Sequence, residues 1–372
     1  MSARFLTAVS GRAFNMRDRF GREIDYMRIS VIDSCNLNCY YCNPQDNNKN
    51  CQAINILSVK KVLCIVRAAT RLGITHFRLT GGEPLLHPQI DEMVSQIKKI
   101  PGVRSVSLTT NAVLLAQHAK QLKEAGIDSI NVSLDTIDAS EYEYITKKPL
   151  LDKVEHGIDA AIECGIRVKI NAVLTPQTNV VALTRYASKK GTDIRFIEMM
   201  PVGEGHTNGV EPYKKVIGAL LEVYGTPCHI DTENREEINS GYNNADNGPA
   251  EYYSFHGLDI RVGLIQAIHG KFCDTCNRIR VTADGRLMPC LGSSVTMDLV
   301  PDSCEFTDDL EKDFVIAQAL KAAIKAKPGC HNFNDNAVTY TKTTETKTVE
   351  TKTTELKAAE VNAARNMSRI GG

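Results

Sequence analysis

The 372-residue chain lacks two features that assign many proteins to a class: a net charge and a long apolar run. Lys plus Arg and Asp plus Glu both number 44, so the formal net charge is zero. A neutral chain has no overall attraction to nucleic acid or to an anionic membrane, although it can still contain a local basic pocket. No apolar stretch approaches the roughly 20 residues of a membrane-spanning helix. We therefore expect neither nucleic acid nor a membrane as a partner.

The chain is rich in cysteine, with 12 residues. Six of them fall into two groups with the spacing of metal ligands, and the others are scattered. This pattern indicates metal sites in a reducing compartment, not a disulfide framework. The first 17 residues carry three arginines and no acid but lack a clear cleavage pattern. We therefore expect a cytoplasmic location more than the mitochondrial matrix.

The first cysteine group is Cys35, Cys39 and Cys42, in D-S-C-N-L-N-C-Y-Y-C-N-P. Thiolates select soft metals, chiefly zinc and iron–sulfur clusters. Structural zinc sites use four protein ligands, and no fourth Cys or His follows here at a similar distance. A [4Fe–4S] cluster with one open iron therefore fits the Cx3Cx2C spacing better. A set of buried structural cysteines remains the alternative.

The second group is Cys273, Cys276 and Cys290, with the spacing Cx2Cx13C. It also lacks an obvious fourth partner, which again favours an iron–sulfur cluster with an open iron. A zinc site completed by Cys304 or His269 is the alternative reading.

Two arginines, Arg278 and Arg280, follow Cys276 two residues apart. In a strand both side chains would lie on one face, beside the cysteines. Paired guanidinium groups bind phosphate through bidentate hydrogen bonds. The segment therefore predicts an anionic substrate that also offers a nitrogen or oxygen ligand to the cluster.

Apolar periodicity predicts a strand–helix alternation repeated about six times before Pro201. The predicted strands are 26–33, 76–80, 105–110, 127–134, 167–174 and 193–198, and the predicted helices are 58–72, 90–100, 113–125, 150–164 and 180–190. Such alternation implies a parallel sheet flanked by helices, either open and doubly wound or closed into a barrel. Polar motifs follow five of the strands at the same end, which favours a common barrel mouth.

We therefore predict an α/β fold, an incomplete (β/α)6-type TIM barrel with an appended C-terminal iron–sulfur domain and a flexible tail. The predicted divisions are an N-terminal extension (1–25), the partial barrel (26–230), the C-terminal domain with the second cluster (231–338), and a low-complexity linker with a Gly-Gly tail (339–372). Within the last of these, 341–355 repeats T-K-T-T-E or T-K-T-V-E, which is typical of a solvated linker.

Several motifs carry a resemblance to a known family. Cx3Cx2C after the first strand and G-G-E-P (81–84) after the second resemble the signature of radical S-adenosylmethionine (SAM) enzymes. Further motifs are F-G-R-E-I (20–24), I-N-V-S-L-D (130–135), R-F-I-E-M-M-P (195–201), C-N-R-I-R-V-T-A-D-G (276–285) and the terminal I-G-G. Together they make nearly the whole chain similar to the GTP 3′,8-cyclase family of molybdenum-cofactor biosynthesis.

The resemblance implies two [4Fe–4S] clusters and SAM as cofactors, with each cysteine group holding one cluster. The residues implied for SAM are Tyr41, Gly81, Gly82, Glu83, Ser133 and Met200. Those implied for GTP are Arg28, Arg78, Thr109, Lys169, Arg195, Arg278 and Arg280. Arg278, Arg280, Gly371 and Gly372 are the implied catalytic residues.

The implied reaction starts when an electron enters the first cluster and SAM is cleaved to a 5′-deoxyadenosyl radical. Hydrogen abstraction at C3′ of GTP, attack on C8 and reduction then give (8S)-3′,8-cyclo-7,8-dihydroguanosine 5′-triphosphate. The resemblance also implies an external electron donor, a downstream cyclic pyranopterin monophosphate synthase and a homodimer as partners.

Four positions depart from the family pattern: Ser34, Asn43, His76 and Ala112. None is a cluster ligand, but they leave two alternative functions open. One is a divergent radical SAM enzyme acting on a peptide or other substrate. The other is a non-catalytic metal-binding paralogue.

Deletion of Gly371 and Gly372 tests the role that the resemblance gives to the tail. Because glycine has no side chain, the two terminal glycines could enter a narrow active-site mouth. We expect the deletion to leave both clusters intact and to lower GTP cyclisation sharply, while SAM cleavage persists. Shortening the 341–355 repeat is the control and should matter much less. Full cyclisation by the deletion variant, measured as product separated chromatographically from GTP, would identify the tail as a frayed end.

Overall fold

The structure, a computed structural model, describes residues 16–42, 54–202, 209–230, 248–293, 296–299, 309–331 and 333. Within these ranges, no helix combines the length and the apolar character needed to cross a membrane. Several residues of the sequence analysis lie outside the described ranges, namely Asn43, Cys304, the 341–355 repeat, Gly371 and Gly372.

The strands belong to one sheet. They are β1 (Tyr26–Ser30), β2 (His76–Thr80), β3 (Ser105–Thr110), β4 (Ser129–Ser133), β5 (Arg167–Val173), β6 (Asp193–Ile197), β7 (Cys228–Ile230), β8 (Glu251–Ser254), β9 (Val262–Ile265), β10 (Arg278–Val281), β11 (Arg286–Met288) and β12 (Met297–Asp298). The six predicted strands are confirmed as β1 to β6, with ends that differ by a few residues.

The helices mostly connect successive strands. They are α1 (Val59–Thr70), α2 (Ile90–Lys98), α3 (Leu115–Glu124), α4 (Ala139–Thr146), α5 (Leu151–Glu163), α6 (Val180–Lys189), α7 (Pro212–Tyr224) and α8 (Asp309–Lys325). The five predicted helices are confirmed as α1, α2, α3, α5 and α6. The predictions missed α4, which is short and begins where Asp138 accepts a hydrogen bond from the Glu141 backbone nitrogen at 2.8 Å.

The sheet has the order β12-β11-β10-β1-β2-β3-β4-β5-β6-β9-β8-β7. Eight neighbouring strands, from β10 through β9, run parallel. The predicted parallel sheet is therefore confirmed. In the described part of the chain, the two edge strands β12 and β7 do not pair with each other, so closure into a barrel stays a prediction. The segment 231–338, predicted as an appended domain, supplies strands to this same sheet on both sides of β1 to β6.

The two faces of the parallel strands differ in polarity. On one face lie buried apolar residues such as Met27, Phe77 and Ile170, which share a hydrophobic core with helix residues such as Val62 and Val154. Residues of the other parity are polar, and adjacent strands place them in register. Parallel strands covered on both faces usually read as continuous apolar runs. The alternation here leaves one helix-covered face and one polar face.

A buried ion pair connects the N-terminal segment to the C-terminal one. Arg22 and Asp18 approach to 2.6 Å, with both side chains almost fully buried. The same guanidinium donates hydrogen bonds to three backbone carbonyls, those of Cys273 at 2.6 Å, Pro328 at 2.6 Å and Gly329 at 3.0 Å. Arg22 therefore holds the second cysteine group against the segment that follows α8.

Replacement of Arg22 by Ala should strongly destabilise the protein. It leaves the Asp18 carboxylate buried without its cation, which typically costs about 3–5 kcal/mol. The matched control is Arg17→Ala, because Arg17 forms an exposed pair with Glu23 in the same turn, with side chains 65% and 46% exposed. Such a pair contributes about 1 kcal/mol or less. Urea unfolding of the metal-free protein under anaerobic conditions measures both, and equal losses would contradict the role of Arg22.

Candidate active site

The first cysteine group lies on a loop that follows β1 and rests against the end of α4. The backbone nitrogens of Asn38 and Tyr40 donate to the carbonyls of Thr146 at 3.0 Å and Ile145 at 3.1 Å. The hydroxyl of Tyr41 donates to Asp135 at 2.5 Å, and Asp135 also accepts from the Val173 backbone nitrogen at 2.8 Å. The loop is therefore fixed to residues that follow β4 and end β5.

Gly81 and Gly82 bring the second loop against the cysteine loop. The Gly82 nitrogen donates to the Ile32 carbonyl at 2.7 Å, and the Glu83 nitrogen donates to the Ser34 carbonyl at 2.8 Å. A Cβ atom on Gly81 would lie 2.4 Å from the Ile32 oxygen, and one on Gly82 would lie 2.2 Å from the Ser34 oxygen. Both contacts are shorter than packing allows, so the structure requires glycine here because the two backbones touch.

Glu83 forms hydrogen bonds within the protein. Its carboxylate accepts from the Thr110 hydroxyl at 2.7 Å, from the Asn111 nitrogen at 2.8 Å and from the Leu85 nitrogen at 3.0 Å. Burial raises the pKa of Glu83 to about 7, against these hydrogen bonds, which favour the carboxylate. The side chain predicted to bind SAM thus also connects the second loop to the end of β3.

The ends of β3 and β4 meet the first cysteine group. The Asn111 side chain donates to Asn36 at 2.7 Å and lies 3.7 Å from the Cys35 sulfur. A small cavity of about 40 Å³ has Cys39, Tyr41, Asn111 and Ser133 in its lining. The structure therefore brings together two of the residues predicted to bind SAM, Tyr41 and Ser133. Met200 is half-buried after β6 and does not line this cavity.

The thiols of the first group favour their protonated form without a metal. Burial, with a contribution from Asp135, raises the pKa of Cys42 to about 11 and that of Cys39 as well. Metal binding would have to displace these protons. Among the described residues, no three Cys, His, Asp or Glu side chains converge closely enough to hold a single metal ion. The loop supplies three thiols, which suits a cluster with one open iron better than structural zinc, which takes four protein ligands.

The second cysteine group has a more cationic environment. Cys273 begins a short 3₁₀ turn, and the Lys327 ammonium lies 3.4 Å from the Cys276 sulfur. Burial opposes ionisation of Cys276, but Arg278 and Lys327 lower its pKa to about 7. Arg280 lies near Cys276 and Cys290, so its charge interacts with both. The thiolate form that a metal requires is therefore available at Cys276 near neutral pH, whereas burial raises the pKa of Cys273 to about 11.

A row of cationic side chains covers the polar face of the sheet. Arg28 is in register with Arg280 on one side and with Arg78 on the other. Lys169 and Arg195 extend the row on β5 and β6, and both are almost fully buried. We call this set the cationic face, comprising Arg28, Arg78, Lys169, Arg195, Arg278 and Arg280.

The cationic face has more donors than acceptors. Four of its nitrogens are buried without a hydrogen-bond partner among the described residues: Nη1 of Arg78, Nη2 of Arg195, Nε of Arg278 and Nη1 of Arg280. The Thr109 hydroxyl, on the same face, has none either. Asp193, the acid in register with Lys169, is already paired with Arg261 at 2.5 Å. Buried donors without acceptors indicate that an anion belongs there.

Mutual repulsion is visible in the ionisation of the cationic face. Burial and the nearby Arg278 lower the pKa of Arg280 to about 10. Burial and the nearby Arg195 lower the pKa of Lys169 to about 6. Burial also lowers the pKa of His76, so this imidazole is neutral at neutral pH. A polyanion in this space would reverse the shift at Lys169.

Three positioning residues were missed by the sequence analysis. Arg22 lies in the F-G-R-E-I motif, which was noted without a role. Glu198 accepts from the backbone nitrogens of Ile268 at 2.7 Å and His269 at 3.1 Å, which ties the end of β6 to the loop before Cys273. Lys327 donates to the carbonyls of Arg278 at 2.8 Å and Pro289 at 3.1 Å. No spacing rule in the sequence connects these residues to the cysteines.

Known proteins resemble this chain over most of its length. The family model described as Radical SAM superfamily matches residues 29–184, and the one described as Molybdenum Cofactor Synthesis C matches 192–333. The GTP 3′,8-cyclase of Clostridium perfringens strain SM101 is 36% identical over 86% of this chain and 95% of its own length. That of Listeria monocytogenes is 37% identical over 85% of this chain and 92% of its own.

Solved structures share the fold at low sequence identity. Streptococcus suis SuiB bound to S-adenosylmethionine superimposes with a TM-score of 0.54 at 15% identity, covering 82% of this chain and 68% of that one. SuiB bound to its precursor peptide SuiA gives a TM-score of 0.54 at 14% identity, covering 86% and 74%. At these identities the likeness concerns the fold alone.

Replacement of Gly82 by Ala should separate the two loops at the first cysteine group. The added methyl would overlap the Ser34 carbonyl, and overpacking of this kind costs about 1–3 kcal/mol. We expect iron binding at the first group to fall while the second group keeps its iron. Gly218→Ala is the control, because a Cβ there meets nothing within 4 Å in the middle of α7. Unchanged iron content in Gly82→Ala protein would show that the loops do not depend on this contact.

Proposed function

This chain belongs to the GTP 3′,8-cyclase family of radical SAM enzymes, and we propose that its cationic face binds the triphosphate of GTP between the two cysteine groups. The protein is an enzyme of molybdenum cofactor synthesis that uses SAM and [4Fe–4S] clusters. The family membership sets aside a peptide-modifying enzyme and a non-catalytic paralogue. The assignment of individual residues is the proposal developed here.

Each cofactor has a donor set that fits it. Cys35, Cys39 and Cys42 would hold the first cluster, and Cys273, Cys276 and Cys290 would hold the second. SAM bound at the first cluster supplies the radical that abstracts a hydrogen from the substrate. The residues of this chain have the remaining tasks: they bind the substrate, orient it, neutralise its charge and exclude water.

The observation that carries the proposal is the set of buried guanidinium nitrogens without partners. A triphosphate offers several anionic oxygens, and arginine pairs with them through charge-assisted hydrogen bonds. Arg78, Arg195 and Arg280 each keep a nitrogen available for such a bond. Lys169, largely neutral in the ligand-free protein, would take up a proton as the phosphates arrive, which adds a positive charge when it is needed.

The position of the cationic face would orient GTP with its two ends towards different groups. Arg280 interacts with Cys276 and Cys290, which places that end of the face beside the second cluster. Thr109 lies on the same face one residue from Thr110, whose hydroxyl bonds Glu83, next to the first cysteine group. We infer that the guanine lies towards the second cluster and the ribose towards the first, where SAM is held.

Residues that follow the ends of the strands would form the SAM site. We propose that Tyr41, Gly81, Gly82, Glu83, Ser133 and Met200 shape the SAM site at the first cluster. Gly81, Gly82 and Glu83 do so by holding the cysteine loop as well as by approaching the ligand. Gly371 and Gly372 lie outside the described residues, and their catalytic role stays a prediction.

The reaction also implies partners beyond GTP. We propose an external one-electron donor in a reducing, cytoplasmic compartment, because iron–sulfur chemistry requires reduction. A downstream cyclic pyranopterin monophosphate synthase would consume the cyclised nucleotide. A homodimer is proposed on the family resemblance alone.

Anaerobic incubation of the reconstituted protein with GTP, SAM and a reductant tests the activity. The expected product has the mass of GTP, since the hydrogen atom that C3′ loses to the deoxyadenosyl radical is replaced by one electron from the reductant and one proton. The product is therefore separated from GTP chromatographically. SAM cleavage without a cyclised nucleotide would contradict the proposal. Cys35→Ala protein, which lacks a ligand of the first cluster, is the negative control.

Arg280→Ala should weaken GTP use and leave SAM binding unchanged. Charge-assisted hydrogen bonds contribute about 1.5–3 kcal/mol each, so the affinity for GTP should fall roughly 10- to 100-fold. Arg286→Ala is the matched control, because Arg286 lies on the neighbouring strand β11 and pairs with Asp298 at the surface. Equilibrium binding of radiolabelled GTP and SAM measures both effects. Equal losses for the two ligands would place Arg280 outside the triphosphate site.

A further inference from the structure

The segment from Lys327 to His331, which follows α8, lies against the second cysteine group. Lys327 contacts the Cys276 sulfur, and Arg22 holds the carbonyls of Pro328 and Gly329 beside that of Cys273. The Nε2 atom of His331 donates to the Ala267 carbonyl at 2.7 Å. Contacts on both sides of Cys330 therefore fix its backbone at the second group.

Cys330 adds a fourth thiol to this group. Its side chain forms a hydrogen bond with the thiol of Cys273, and the His331 backbone nitrogen donates to the same Cys273 sulfur. Cys273 itself is buried, whereas Cys330 is exposed to solvent. The spacing of the first three cysteines gave no indication of this neighbour, because the chain runs through β11, β12 and α8 before it returns.

His269, another candidate for the fourth ligand, is less suited. His269 is engaged through Nδ1 with the buried Glu198 carboxylate. Cys304 lies outside the described residues. Of the described side chains, Cys330 is the one with both a thiol and a direct contact with a member of the group.

We propose that Cys330 is a fourth thiolate ligand of the second cluster, bound to its open iron while GTP is absent and displaced when GTP binds. This inference rests on the proposed function, because it assumes a cluster at Cys273, Cys276 and Cys290. The exchange involves no oxidation or reduction. An iron–sulfur bond forms as the Cys330 thiol releases its proton to solvent, and on GTP binding that bond breaks and the thiolate is reprotonated.

The exposure of Cys330 makes such an exchange feasible. Its neighbours are anchored through Arg22 and His331, so displacement requires only that the side chain turn outward from a fixed backbone. A capped iron would be protected from solvent and oxidants until substrate arrives. GTP would then compete with an intramolecular thiolate, so its apparent affinity would be lower than in a chain without this cysteine.

Thiol alkylation of the full-length, cluster-loaded protein tests the ligation directly. Cys228 is the internal reference, since it is also exposed but lies on β7 at the other edge of the sheet. Without GTP, iodoacetamide should label Cys330 about tenfold or more slowly than Cys228, because an iron-bound thiolate is not accessible to the reagent. GTP should accelerate labelling of Cys330 alone. Equal labelling of both thiols without GTP would overturn the proposal.

Oxidation of the cluster provides a second readout that does not depend on activity. A protein with Cys35, Cys39 and Cys42 all changed to Ala retains only the second cluster. Brief treatment with ferricyanide should produce little [3Fe–4S] signal by electron paramagnetic resonance in this protein, because all four irons have thiolate ligands. Adding Cys330→Ala should produce a strong signal, whereas adding Cys228→Ala should not.

The outcomes separate this inference from the proposed function. A parent protein without any cluster would refute the second cluster and with it the proposed GTP site. A cluster that loses iron equally with and without Cys330 would refute only the ligation. A Cys273–Cys330 disulfide in anaerobically prepared, cluster-loaded protein, detected by peptide mass, would also overturn it.

Discussion

The repulsion among buried cations on one face of the sheet is the constraint on which the structure depends. Arg28, Arg78 and Arg280 stand in register on adjacent strands, and Arg195 and Lys169 continue the row. Buried like charges are unfavourable unless an anion or a shift in pKa relieves them. The fold tolerates the row because the opposite face contributes a large apolar core, and because burial and the nearby Arg195 lower the pKa of Lys169 to about 6. Under the proposed function, the site is thus prepared for a polyanion before one arrives.

The two cysteine groups have different electrostatic environments. The first is buried and lies near Asp135, and both effects raise the pKa of its thiols and keep them protonated. Backbone contacts with the G-G-E-P loop hold it in position. At the second, Arg278 and Lys327 favour the thiolate of Cys276, whereas burial raises the pKa of Cys273 to about 11. Cluster loading should therefore release more protons at the first group than at the second. Arg278, one of the two cations that favour the thiolate form of the neighbouring Cys276, is also a member of the cationic face.

Sequence patterns predicted much of this architecture because periodicity and short-range spacing are local properties. The six strand–helix units, the register-compatible pair Arg278 and Arg280, and the glycines of the second loop were all identified from neighbouring residues. The features that sequence patterns could not predict depend on contacts between segments that are far apart in the chain. Three features arise only when distant segments meet. They are the pairing of β9 with β6 and of β10 with β1, the anchoring role of Arg22, and the approach of Cys330 to Cys273. The short helix α4 lacked a clear apolar stripe, so its capping residue Asp138 was its only local signal.

The placement of β10 beside β1 has a consequence for how the protein is made. β1 is synthesised long before β10, the neighbour with which it pairs and which is completed only at Val281. Until then the edge of β1 that will pair with β10 keeps unpaired backbone amides and carbonyls, next to the loop of the first cysteines. Pairing across so long a stretch of chain is slow, and exposed strand edges favour aggregation. Correct assembly of the cationic face is therefore a late event, and delivery of iron to the first group during synthesis would meet a site that lacks its eventual neighbour.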